Sequence, residues 1–220
     1  MRRIQAGLAL AIVVVGTGIV TASAWAALPE FSKTGVTFVS KSGTSKLEAG
    51  EVAITCKESK AEKGEITSVK VVSKLVVTFT GCEAETASKL KCKPNGETGT
   101  IKTNELQGEL GYINKTAKTV GLELKPVAAA ENVFVDLSSK CLPLEHNAVE
   151  NGIIGQITPT NTPAKTGKLE FKITERTQAI KEIELGGKKV KSVLTVFEII
   201  EAPLETVQTI EFGSEIEVKA

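Results

Sequence analysis

His146 is the chain's only histidine. A serine or cysteine hydrolase would need it as the base, set between a nucleophile and an orienting carboxylate. Its neighbours, Leu144-Glu145-His146-Asn147, form no catalytic motif, and no G-x-S-x-G elbow occurs. The sequence therefore predicts an exposed loop histidine and no catalytic residue. A lone histidine also excludes the multi-histidine sites of catalytic zinc. Paired carboxylates are the remaining route to hydrolysis. Of the 26 acidic residues all but Asp136 are glutamate, so spatial pairs for glycoside cleavage stay open. Sugar clefts, however, lean on aromatic platforms, and Trp25 and Tyr112 are the chain's only tryptophan and tyrosine. Neither G-x-x-x-x-G-K nor G-x-G-x-x-G is present, so no phosphate-binding loop is expected. Asn114-Lys115-Thr116 fits the N-glycosylation triplet and marks a surface turn.

Four cysteines, Cys56, Cys82, Cys92 and Cys141, carry the other available chemistry. They show no C-x-x-C spacing, which argues against a Cys₄ zinc site, and no metal ligand set is predicted. An even count in an exported chain reads as two disulfides, with three connectivities open. Strand parity puts Cys56 on the face of Val52 and Ile54, and Cys141 on the face of Val133, Val135 and Leu137. Both then point into a core, so the expected bridges are Cys56–Cys141 and, across a polar loop, Cys82–Cys92.

Export itself is read from the start of the chain. Met1-Arg2-Arg3 precedes an apolar stretch, Ala6 to Val20, and then the small-residue run ending Ala24-Trp25-Ala26. A basic start, an apolar core and an Ala-x-Ala site make a secretory signal peptide over 1–26, with retention as an anchor as the alternative. Cutting after Ala26 leaves 194 of the 220 residues, enough for one domain with a core. Losing Arg2 and Arg3 reduces 27 basic residues to 25 against 26 acidic. So balanced a charge gives no reason to expect nucleic acid or an anionic membrane as partner, and no membrane span is expected after cleavage. No cofactor is predicted.

The elements are strands. Val120, Leu122 and Leu124 alternate with Gly121, Glu123 and Lys125, and Leu169, Phe171 and Ile173 with Glu170, Lys172 and Thr174. Val69, Val71, Leu75, Val77 and Phe79 read as one face of another strand. The nearly continuous apolar run from Val193 to Ile200 reads as a strand covered on both sides. Glu62-Lys63-Gly64, Asn95-Gly96, Asn151-Gly152 and Gly186-Gly187 read as turns. Helical patterning is limited to Ala84–Leu90 and Pro143–Glu150. Thr158 to Pro163 is linker-like, but the tail Thr166–Ala220, 55 residues, is marginal as an independent core. The expectation is a single all-β domain over 27–220, an antiparallel sandwich or partly closed barrel with little helix.

The strings Phe31-Ser32-Lys33-Thr34-Gly35-Val36-Thr37-Phe38, Ser40 to Ser45, Ala53 to Lys57, Val77 to Cys82, Lys102 to Leu106, Leu110 to Tyr112 and Ile154 to Pro159 resemble a group of uncharacterised secreted bacterial β-rich proteins. The resemblance implies export and kinship; the group has no known activity, so it transfers no functional residue.

Function is thereby narrowed to a non-enzymatic extracellular binding or cell-envelope module, acting on an unknown extracellular partner or by self-association. The alternatives are a small apolar-ligand carrier with a barrel cavity, and a secreted hydrolase using glutamate or His146.

Overall fold

Period-two alternation needs two environments, and the chain supplies them by rolling its sheet into a tube. The computed structural model describes residues 29–94, 98–127, 132–137 and 148–220. Eight strands form the tube: β1 (Val36–Ser42), β2 (Glu58–Ile66), β3 (Val71–Leu75), β4 (Leu106–Asn114), β5 (Thr119–Pro126), β6 (Ile153–Thr158), β7 (Ala164–Phe171) and β8 (Leu204–Ile216). Each pairs antiparallel with the next. The ring closes where β8 meets β1, with Phe38 opposite Phe212 and Lys41 opposite Thr209. This is an up-and-down barrel, closed rather than partly closed, and not a sandwich.

The strands continue past the ring. Beyond β1 the chain extends through Ser45–Ala49, turns at Gly50, and returns through Val52–Cys56 into β2. Val52–Ile66 then pairs with 72–86 in one long ribbon, from Val52 opposite Thr86 to Ile66 opposite Val72. Continuing either end of that register sets Cys56 against Cys82, and these two form a disulfide. The expected bridges Cys56–Cys141 and Cys82–Cys92 are therefore wrong. The parity argument placed Cys56 on the buried face with Val52 and Ile54 correctly. It could not see that the ribbon's register brings Cys82 opposite. The described residues contain no free thiol, Cys92 included. Cys141 and His146 lie outside the described residues, as do residues 1–26, where a signal peptide is expected, and Asn95-Gly96.

Inside the barrel, Val72, Leu75, Leu106, Leu122, Leu124, Ile153, Ile157, Leu169 and Phe171 converge. One end is plugged by the pair Glu30–Phe31 and Val218–Lys219, which puts Phe31 into the interior. The other end is capped by a four-stranded sheet of Val133–Asp136, Ala148–Glu150, Thr195–Val196 and Ile200–Glu201. Phe134, Val149 and Leu194 from this cap pack over the barrel mouth.

On the outer wall, the hairpin Glu182–Leu185 / Lys188–Lys191 lies against β4. Gly111, opposite Gly121 in the β4–β5 ladder, leaves the space that the hairpin occupies. A Cβ on Gly111 would come within 2.6 Å of the Glu184 carbonyl and 2.7 Å of Ile183. Gly186-Gly187 makes this hairpin's turn as expected, both residues having the positive φ that a tight two-residue turn requires.

Other expectations change. Ala84–Leu90 is not helical: Glu83–Thr86 is a strand laddered to Val52–Thr55 that turns back into Lys91–Cys92. The described end of the second expected helix, Ala148–Glu150, is a strand. Thr158 to Pro163 joins the neighbouring barrel strands β6 and β7. Glu62-Lys63-Gly64 is no turn but a bulge inside β2. Among the described residues no helix is long and apolar enough to cross a membrane.

Candidate functional site

The interior carries one polar strip. Ser40 donates to Gln208 Oε1 at 3.3 Å, and Gln208 Nε2 donates to Ser59 Oγ at 2.5 Å. Ser59 and Ser42 share a hydrogen bond at 2.8 Å, and Ser42 and Ser45 one at 3.2 Å. Ser45 donates to Thr206 Oγ1 at 2.9 Å. Each of these polar groups has a partner, as burial demands. The strip stitches β1 and its extension to β2 and β8 and so fixes the register of the closing seam. The two cavities beside it are about 40 Å³ each. That is room for water, whereas small-molecule pockets run to roughly 300–1,000 Å³.

The large concavity is on the outside, a groove of about 910 Å³ across β1, β2, β8 and the strands Val77–Thr80 and Ile101–Lys102. A bulge shapes it. Phe38 faces Gly64 and Ser40 faces Ala61, so Glu62 and Lys63 together oppose the single residue Val39. A bulge of this kind bends its strand and re-aims side chains, and here Glu62 and Lys63 are both exposed toward the groove. A second irregularity at Lys74, which has φ +59°, shifts β3 by one residue before the same wall continues through Val77–Thr80. It also separates Val69 and Val71 from the inward face of Leu75, Val77 and Phe79.

Five lysines line the groove, Lys41, Lys60, Lys63, Lys74 and Lys102, against Glu58, Glu62 and Glu211. Lys41 pairs with Glu211 at 2.8 Å and Lys60 with Glu62 at 2.9 Å. The hydrogen bond from Lys60 holds the Glu62 carboxyl below its usual range. The hydrogen bond to Glu65 pushes the Lys74 ammonium up. Lys63 and Lys102 form no ion pair among the described residues. Val39 and Val76 add apolar surface, and Thr78, Thr80 and Thr209 add hydroxyls. This set can hold an extended acidic or hydrogen-bonding chain. Among the described residues no group of His, Cys, Asp and Glu is arranged to hold a metal. These lysines and glutamates come from separate strands, and the bulge gathers them around one hollow.

A second surface lies in the capping sheet. Thr195 pairs with Glu201 and Val196 with Ile200, leaving Phe197-Glu198-Ile199 as the hairpin's turn. The run expected to be buried on both sides divides here: Leu194 and Val196 are buried, whereas Ile199 is 85%, Ile200 40% and Phe197 36% accessible. Phe197 and Glu198 both have left-handed φ, at 54° and 62°, where non-glycine residues are strained. Glu201 anchors the hairpin's base. Its Oε1 accepts from the Gln178 backbone N–H at 2.6 Å and its Oε2 from Lys181 Nζ at 2.8 Å. Burial pushes the Glu201 carboxyl up, but these bonds and the charges of Lys181 and Lys191 outweigh it and hold the carboxyl below its usual range. A depressed carboxylate stabilises the fold above its unfolded value near 4.5, and that contribution fades as pH falls through the folded value. Glu201→Gln is thus expected to cost about 1 kcal/mol at pH 7 in denaturant unfolding. The gap to wild type should narrow progressively as pH falls below 4.5, and a gap that stays constant through strong acid would contradict this role.

Comparison with known proteins returns nothing to set beside this geometry: no protein family, curated protein or solved structure matches the chain.

Proposed function

We propose that the chain is exported by its 1–26 leader and acts outside the cell as a non-enzymatic binding module whose working surface is the lysine-lined groove. The observation that carries this reading is the contrast between the outside and the inside of the barrel. Here the hollow of about 910 Å³ is external and the interior cavities are about 40 Å³ each, and Lys63 and Lys102 of that hollow form no ion pair among the described residues. The disulfide between Cys56 and Cys82 suits an oxidising extracellular setting. The carrier alternative needs interior space, and the cavities of about 40 Å³ do not supply it. The groove's chemistry favours an extended acidic partner, with ammonium groups for carboxylates and threonine hydroxyls for backbone or sugar groups.

Retention of the disulfide-intact protein on immobilised poly-L-glutamate tests this. At about 10 mM salt, where screening extends over about 30 Å, wild type should be retained, and added salt should release it. Lys63→Glu/Lys102→Glu should flow through. Lys188→Glu/Lys189→Glu, the same charge change on the outer hairpin, should leave retention intact. Equal loss in both variants would mean diffuse charge attraction and would overturn the groove as the site.

A further inference from the structure

The acidic partner has a counterpart on the protein's own surface. The tip of the capping hairpin combines three exposed apolar side chains, Phe197, Ile199 and Ile200, with two consecutive strained residues. Its charge is negative. Glu198 lies in the turn, and Ile200 packs within 3.9 Å of where a Cβ on Gly50 would sit, bringing the turn bearing Glu51 alongside. Neither Glu198 nor Glu51 forms an ion pair among the described residues. The groove is the complement, with Lys63 and Lys102 in no ion pair among the described residues and Val39 exposed in its lining. We infer that the groove receives the Phe197–Ile200 tip of a second copy of the chain, so that copies join tip to groove. This rests on the reading of the groove as the binding surface.

A barrel cannot fill its own groove in this way. Gly50, beside the tip, is set off from Lys41 and Ser42 by the whole strand Ser45–Ala49, a span of about 15 Å at the rise of extended chain. The contact is therefore between molecules and joins unlike surfaces. Such heterologous contacts do not saturate at a dimer; they run on into open chains or close into rings. Opposite charges at the rim set orientation and make the contact salt-sensitive, while the apolar tip supplies the buried centre.

Sedimentation equilibrium of the disulfide-intact protein from about 1 µM to about 1 mM reads the result. The average mass should climb past that of a dimer as concentration rises and should fall with added salt. Ile199→Asp, at a side chain too exposed to matter for folding, should keep the wild-type melting temperature. It should weaken association by at least about tenfold, the loss expected of one central interface side chain. Lys63→Glu/Lys102→Glu should do the same from the other side. Mixing the two variants should give a one-to-one complex that grows no further, because one brings a working groove and the other a working tip. A monomer at every concentration overturns the proposal, and so does a mixture that fails to pair. Retention on poly-L-glutamate separates the two levels. If Ile199→Asp and wild type are both retained yet wild type never associates, the groove stands and the tip is not its occupant. If retention fails as well, the groove reading falls with it.

Discussion

Cys56→Ala and Cys82→Ala are each expected to lower the free energy of unfolding by about 3 kcal/mol, and the double variant by no more than either alone. The bond closes a loop between residues 26 apart, and opening it restores that conformational freedom to the unfolded chain. The folded state gives a reason for the equality. Both side chains are buried, at 4% and 2% accessible, on the same face of one ribbon, so either replacement removes the same cross-strand tie. Urea unfolding of the three variants checks this. Unequal single losses, or a double loss near the sum of the singles, would show that the two cysteines act separately.

The second large effect is expected at Gly111. Gly111→Val drives a branched side chain into the Glu184 carbonyl and the Ile183 and Leu185 side chains, which already crowd the site of a single Cβ at 2.6–2.7 Å. The hairpin 182–191 must lift or the barrel wall must bend, at a cost of about 2–3 kcal/mol. Amide hydrogen exchange locates the damage. Protection should drop across Glu182–Lys191 while the amides between β1 and β8 keep theirs, since the seam is remote from this hairpin. Protection lost evenly across the barrel would mean that the hairpin is not a separable layer.

The strands that were easiest to read are those with an uninterrupted ladder. Val120, Leu122 and Leu124 face inward as their alternation says, and so do Leu169 and Phe171. Alternation fails where a strand gains a residue. The irregularity at Lys74 leaves the apolar spacing plausible on paper while changing the face it belongs to. At Glu62-Lys63-Gly64 the residue types favour a turn, but pairing with β1 on one side holds the segment extended and turns the surplus residue into a bulge. In Ala84–Leu90 weak helical propensity yields to a ladder with Ala53 and its neighbours, a partner some thirty residues away. The disulfide was hidden for the same reason, since its pairing follows from long-range register. Phe197 to Ile200 misled in the opposite direction: hydrophobicity implied cover, and the fold leaves the tip bare. The groove was illegible because its lysines come from separate strands, and no local pattern says which strands will become neighbours.

The seam between β1 and β8 has a consequence for how the molecule comes into being. Residues 38–41 pair with 209–212, so the first strand of the wall waits for the last. A thread delivered N-terminus first, from a ribosome or through a narrow pore, can lay β1 to β7 side by side as they emerge. It cannot seal the tube, because bringing together segments so far apart in sequence is the slow, entropically costly step. Until β8 arrives, β1 and β7 are raw edges with unmatched backbone groups, and the half-built wall is at its most prone to stray pairing. The finished tube therefore forms only once β8 has emerged and can reach back to β1.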